Sequence, residues 1–218
     1  MAPKKTGEPI NLVDRKTTPF NFHNFQIGPL NKKIFFWQLF TEATKDIFNT
    51  ELMDEILAGM EKSKISGFVK FPLSGYSLEH VVEFLYNSDV QNNQITSTVG
   101  GKKIIITEKS LQEHFNIGNK GLQKLTDEAP DARVLCVEWR RPGWEGKVNV
   151  SIKTKGLFAE YEALAEVVAK NIMGQVGSHD TMSANKFTII DWIVKGKRVN
   201  WIKIIWPALV HQVENFQV

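Results

Sequence analysis

Two stretches of this chain combine tryptophans with basic side chains, the residue types that contact phosphates and stack on bases. The first is the run Trp139-Arg140-Arg141-Pro142-Gly143-Trp144. In the second, tryptophans at 192, 201 and 206 interleave with basic residues that only Asp191 opposes: Lys186, Lys195, Lys197, Arg198 and Lys203. Together they define a candidate binding surface: Trp139, Arg140, Arg141, Trp144, Lys195, Lys197, Arg198, Trp201 and Lys203.

Both stretches also have a purely structural interpretation. The tryptophans of the second stretch are typical of a buried helix face, and lysines near the end of a helix favour its macrodipole. We favour that interpretation for the second stretch. For the first stretch, arginines and tryptophans are typical of binding hot spots, but a turn whose tryptophans pack on the core fits the residues equally well. Both interpretations of the first stretch stay open.

The residues that could support catalysis form no known signature. Ser178, His179 and Asp180 are the residue types of a catalytic triad, but neighbours in sequence cannot adopt the geometry of a triad. Gly100-Gly101-Lys102 lacks the spacing of a phosphate-binding loop. An enzyme of unrecognised type would have to use scattered residues such as His114, His179 or Asp180, and their spacing does not support it. We expect no catalytic residue and no enzymatic activity.

Metal and disulfide chemistry have no support in the sequence either. Cys136 is the single cysteine, which excludes an intramolecular disulfide and a zinc knuckle or ribbon. His80 has no second ligand at a useful helical offset. We therefore expect neither a metal site nor a cofactor, and a reducing compartment suits this cysteine usage.

The positive charge is concentrated at the N-terminus. The 218 residues carry a formal net charge of +3, but residues 1–33 hold six basic and two acidic side chains and so carry +4. The rest of the chain is therefore at −1, which argues against a basic face over the whole domain. The start of the chain has no apolar signal region, and its apolar runs are shorter than the ~20 residues of a membrane span. We expect an intracellular protein, in the nucleus or cytoplasm, that is neither secreted nor bound to a membrane.

The hydrophobic periodicity predicts a mainly α (α+β) fold, a helical domain with a small β-hairpin insertion and a disordered N-terminal arm. Residues 1–30 form the flexible basic arm, and residues 31–218 form a single domain that could be sub-divided near 119–156. The pattern is helical over 32–62, where Thr50 can cap a second helix, and further helices are predicted at 77–87, 108–115, 157–174, 184–196 and from about Asn200. Thr107 and Ser183 are the predicted N-caps of 108–115 and 184–196, and Gly118 is predicted to end the first of these two helices. The predicted hairpin spans 94–107 with a Gly100-Gly101 turn, 119–133 is a loop, and 134–139 is a short strand or apolar turn.

Three segments of the chain follow one another in an order typical of a known family. They are Phe71-Pro72 with the helix 79–87, the hairpin 95–106, and residues 168–173 with Ser178-His179-Asp180, Ser183 and 195–200. On the basis of these three segments, residues 68–117 and 157–206 resemble the plant transposon protein domain, which is found in plant transposon-related proteins. Gly100 stands where many relatives have arginine, so any role of that arginine does not carry over. Met173-Gly174 replaces the usual Leu-Pro.

The resemblance implies a mainly helical protein derived from a plant transposable element of the retrotransposon type. The family's molecular role is uncharacterised. The chain has no Asp-Thr/Ser-Gly protease motif, no Tyr-x-Asp-Asp polymerase motif and no zinc knuckle. The leading hypothesis is therefore a non-enzymatic binding or assembly module with a protein partner or self-association. The alternative is a nucleic-acid-binding module that uses the Lys/Arg/Trp surface and the basic arm.

Overall fold

The computed structural model describes residues 50–70, 77–143, 152–174 and 181–216. The predicted arm 1–30, the first part of the predicted helix 32–62, Trp144, His179 and Asp180 lie outside the described residues. Helices dominate the described part, and they accompany a three-stranded antiparallel sheet. The predicted mainly α (α+β) class with a β-hairpin is confirmed.

The sheet is a meander of three short strands, β1 Asp89–Gln91, β2 Gln94–Val99 and β3 Lys102–Thr107, in the order β1-β2-β3. Its two-residue turns, 92–93 and 100–101, have positive φ at both positions, the geometry of type I′ hairpins. The predicted Gly100-Gly101 hairpin is therefore correct. The strand β1 could not be predicted from the sequence, because three residues are too few to display an alternating pattern.

Eight helices are assigned in the described ranges: α1 Thr50–Ser63, α2 Ser66–Val69, α3 Leu78–Asn87, α4 Glu108–Phe115, α5 Ala132–Glu138, α6 Ala159–Val167, α7 Ala184–Val194 and α8 Ile202–Glu214. A π-helical turn, Val168–Ile172, extends α6, and a 3-10 turn, Thr154–Gly156, precedes it. Residues Ile152–Lys153 (β4) and Thr181–Met182 (β5) pair antiparallel. The predicted N-caps Thr107 and Ser183 are confirmed, because their hydroxyls accept hydrogen bonds from the first turns of α4 and α7.

Two local predictions are wrong. Of residues 134–139, predicted as a strand or apolar turn, 134–138 belong to α5 and Trp139 is its C-cap. The helix begins after Asp131, whose carboxylate accepts a hydrogen bond from the backbone N–H of Arg133 at 2.8 Å. A short run rich in valine does not reveal its period, and here the N-cap selects the helix. The range 108–115 of α4 is as predicted, but its C-cap is Asn116, in the left-handed conformation at φ 49°, and not the predicted Gly118.

The core is built around α7, of whose 11 residues eight are buried. Close approach of α1 requires a glycine, since a Cβ at Gly59 would lie 2.2 Å from the carbonyl oxygen of Ile193. The hydrophobic core extends from Met53 to Val213 and includes Leu135, inside the predicted sub-division. The predicted domain limits themselves stay a prediction. Among the described helices, none has both the length and the apolar character needed to cross a bilayer.

Candidate anion-binding surface

Three chain segments meet beside the C-terminal end of α7 and carry seven basic residues to one part of the surface. The segments are the end of α1, the loop 118–124, and the connection 195–201 between α7 and α8. The seven residues are Lys62, Lys64, Lys120, Lys124, Lys195, Lys197 and Arg198, which we call the basic junction. Six of them are exposed and Lys197 is half-buried.

Backbone hydrogen bonds join the loop 118–124 to α1 and to α8. The N–H of Gly118 donates to the carbonyl of Lys64 at 2.9 Å, and the carbonyl of Gly118 accepts from the N–H of Trp201 at 2.9 Å. The Trp201 indole donates to the carbonyl of Ser63 at 2.6 Å. These bonds satisfy buried polar groups and fix the end of α1 in place.

The same loop also pairs with the connection 195–201. The N–H of Leu122 donates to the carbonyl of Arg198 at 3.0 Å, and its carbonyl accepts from the N–H of Asn200 at 2.8 Å. Gly121, at φ 108°, makes this approach feasible, because a Cβ there would lie 2.0 Å from the carbonyl oxygen of Arg198. The side chain of Lys62 packs against Gly196, where a Cβ would lie 2.8 Å from the Cβ of Lys62. Glycines therefore allow the three segments to converge.

Most of the positive charge in the basic junction is not neutralised. In the part of the chain that the structure describes, no carboxylate pairs with five of its members: Lys62, Lys64, Lys120, Lys124 and Arg198. Three carboxylates lie next to these segments, Asp127 and Glu128 after the loop 118–124 and Asp191 in the last turn of α7. Seven basic groups against three carboxylates leave an excess of four positive charges. Neighbouring Glu61 is balanced by Lys70, whose Nζ lies 3.2 Å from its Oε1.

Asp191 organises the remaining two lysines. Its carboxylate is buried, with Oδ1 2.6 Å from Lys195 Nζ and Oδ2 3.5 Å from Lys197 Nζ. Neither oxygen has a donor in hydrogen-bonding geometry among the described residues, so both contacts are ion pairs. Lys197 Nζ also lies 3.2 Å from Glu128 Oε2. A buried carboxylate needs a compensating charge, so these two lysines serve the fold as well as the surface.

Asp127 stabilises the loop from which Lys124 projects. One carboxylate oxygen of Asp127 accepts hydrogen bonds from the backbone N–H groups of Gln123 and Lys124, both at 3.0 Å. These bonds hold the pKa of Asp127 below its usual range, because they stabilise the ionised form. The carboxylate therefore stays charged in neutral solution and keeps the loop closed.

The surface predicted from the sequence is divided between the two ends of α7. Lys195, Lys197 and Arg198 lie beyond its C-terminal end, in the basic junction. Lys203, the second residue of α8, forms an ion pair with Glu108, with Nζ and Oε2 2.9 Å apart. Trp139 contacts Phe187 near the N-terminal end of α7. Phe187 and Lys195 are about 12 Å apart along the helix axis.

The other part of that surface forms a packed cluster, which we call the tryptophan corner: Trp139, Arg140, Arg141, Tyr161 and Phe187. The ring of Trp139 is buried and stacks on Tyr161, with centroids 4.5 Å apart and planes at 17°. Arg141 Nη2 lies 2.9 Å from Glu162 Oε2, and its Nε donates to the carbonyl of Leu157. Arg140 is half-buried and forms a β-bridge with Leu157.

The two described tryptophans of the predicted surface, Trp139 and Trp201, are not exposed for binding. Trp139 is 4% exposed and Trp201 is fully buried, so including them in the surface was wrong. The core interpretation of the 186–206 stretch is correct, since Trp192 and Trp206 are buried as well. Trp144 lies outside the described residues.

Four members of the basic junction were not predicted from the sequence: Lys62, Lys64, Lys120 and Lys124. They are far from residues 195–198 in the chain, so no local pattern joins them. Gly118 and Gly121 were the one signal in the sequence, because glycines in a polar loop indicate positive φ or close approach. That signal does not identify the segment that approaches.

The described residues contain no group of three or more His, Cys, Asp or Glu side chains that could hold a metal ion. Cys136 is buried, and burial raises the pKa of its thiol. His114 is exposed on α4, with its ring 4.8 Å from that of Phe115.

Comparisons with known proteins identify no relative. No family model matches the chain, and neither curated proteins nor solved structures give a significant match.

Proposed function

We propose that this domain acts by binding rather than by catalysis, and that the basic junction binds the phosphate groups of a nucleic acid. The observation that carries the proposal is the convergence of seven basic residues, with an excess of four positive charges, from three distant parts of the chain. Exposed cations without a carboxylate partner attract phosphates, and binding gains from the counterions that are released. Because the chain after residue 33 has a net charge of −1, we expect the binding to be weak and non-specific. Such binding has a Kd of ~10⁻⁴–10⁻⁶ M at physiological salt.

The test is fluorescence anisotropy with a labelled DNA duplex, titrated at several salt concentrations. The variant removes three charges of the junction: Lys62→Gln, Lys64→Gln and Lys120→Gln. We expect it to bind at least tenfold more weakly at low salt. Its salt slope should be smaller by about three, because each lysine that neutralises a phosphate adds roughly one to the slope.

A matched control removes three exposed lysines outside the junction: Lys102→Gln, Lys103→Gln and Lys109→Gln. Both triple variants have the same net charge, so a difference between them reports position. Equal losses of affinity in the two variants would reduce the effect to net charge and reject the junction as the site. Absence of binding by the unmodified protein at low salt would reject the proposal outright.

Protein association is a second candidate function, and exposed valines favour it. Val134 is 52% and Val137 64% exposed, and both lie on one face of α5, opposite the buried Leu135 and Cys136. Exposed apolar pairs of this kind are found at interaction surfaces. Light scattering over micromolar concentrations tests self-association, which Val137→Asp should reduce. A strict monomer at every concentration contradicts it.

Derivation from a plant transposable element is proposed on the sequence resemblance alone. A protein that binds nucleic acid and lacks the enzymes of such an element would be one of its structural components. The proposal agrees with the intracellular location, nuclear or cytoplasmic, that is expected from the sequence.

A further inference from the structure

We infer that the basic junction contacts double-stranded nucleic acid through its phosphates alone, without stacking on bases or reading their edges. The inference rests on the proposed function and names the class of ligand for the same site. Two observations support it: the aromatic rings near the seven cations are buried, and most of the cations are lysines.

Aromatic rings are buried rather than presented at the junction. Every phenylalanine, tyrosine and tryptophan in the described ranges with an assigned burial is at least partly buried. The two tryptophans nearest in sequence, Trp192 and Trp201, are fully buried, and the Trp201 indole is bonded to Ser63 O. Proteins that bind single strands without sequence preference combine cations with aromatic platforms for the bases. The described part of this site has the cations only.

The cations themselves favour phosphates. Six of the seven are lysines, which act as mobile point charges, and Arg198 is the one guanidinium. Base edges are read by planar groups such as arginine, asparagine and glutamine that form paired hydrogen bonds. Lysines gain most from a dense line of phosphates, and a duplex has about one charge per 1.7 Å of its axis. A duplex therefore suits this set better than a flexible single strand.

The experiment compares a labelled DNA duplex, a second duplex of unrelated sequence, and one strand of the first duplex. At low salt we expect the duplexes to bind equally within about twofold and the single strand roughly 3- to 10-fold more weakly. Tighter binding of the single strand would overturn the inference and leave the proposed function in place. Binding of neither form would overturn both.

A conservative substitution separates phosphate contact from base reading. Arg198→Lys keeps the charge and removes the planar guanidinium from an exposed position. For phosphate contact alone, we expect its duplex affinity to change by less than about twofold. A loss of about tenfold or more on one duplex sequence only is the signature of paired hydrogen bonds to a base, and it would overturn the inference.

Discussion

The basic junction and the tryptophan corner both carry cationic side chains, and they use them in opposite ways. In the corner, Arg141 is bonded to Glu162 and to the carbonyl of Leu157, and the Trp139 ring is covered by Tyr161 and Phe187. In the junction, five of seven cations have no carboxylate partner among the described residues. Arg141 is engaged within the fold, whereas the unpaired cations remain free to meet a ligand.

This difference shows that residue type alone does not identify a binding surface. The run Trp139–Trp144 has the composition of a hot spot, yet its described residues contribute packing and internal hydrogen bonds. The lysines at 62, 64, 120 and 124 have no local signature, yet they join a surface because three segments meet. Substitutions in the corner should therefore change stability, and substitutions in the junction should change binding.

The largest effect is expected from Trp139→Ala. The variant removes the ring that stacks on Tyr161 and Phe187 and opens a cavity, so we expect the free energy of unfolding to fall by about 3–5 kcal/mol. Urea denaturation measures the fall, and anisotropy on the fraction that remains folded should give unchanged DNA affinity. Trp139→Phe is the control and should be destabilised less, since it keeps a ring. A fall below about 1 kcal/mol would contradict the assignment of Trp139 to the core.

Gly121→Ala should affect both stability and binding. Its φ of 108° is unfavourable for alanine, and the added Cβ would meet the carbonyl of Arg198, so we expect a loss of about 1–3 kcal/mol and weaker DNA binding. Gly143→Ala is the matched control, because Gly143 also has positive φ but open space around its Cβ position. It should share the conformational strain and keep the affinity. If both variants bind DNA equally well, the pairing of residues 118–122 with 198–201 does not shape the surface.

The elements that could be predicted from the sequence are those whose signals are local. The Gly100-Gly101 turn and the caps Thr107 and Ser183 each lie within about ten residues, and the structure has all of them. The short elements β1 and α5 were missed or misassigned because three to seven residues do not display a period.

The candidate site could be predicted only in part. Lys195, Lys197 and Arg198 were identified because they are neighbours in sequence, but their partners are determined by tertiary contacts. The burial of Trp201 also depends on a distant group, because its indole donates to the carbonyl of Ser63. Contacts across such separations leave no trace in a single sequence.

A pH dependence should distinguish the two regions in alkaline solution. Burial, with nearby carboxylates, raises the pKa of Tyr161 in the corner to about 12, from an ordinary value of about 10. The protonated form is favoured by folding, so its contribution is complete below pH ~10 and is lost as the pH rises towards 12. We expect a loss of about 1 kcal/mol at pH ~11 that Tyr161→Phe removes, measured by urea denaturation. An identical alkaline decline in both proteins would assign the effect to other groups.

The smallest effects are expected from single charge removals, and they compare the two regions most directly. Arg198→Gln removes an unpaired cation from the junction, so we expect about threefold weaker duplex binding and a salt slope smaller by about one. Arg141→Gln removes a cation that Glu162 already neutralises, so we expect unchanged binding and a stability loss of about 1 kcal/mol or less at this partly exposed pair. The variants have equal net charge, and anisotropy with urea denaturation measures both quantities for each. If Arg141→Gln weakened binding as much as Arg198→Gln, arginines at both ends of α7 would face the ligand and the division between corner and junction would be wrong.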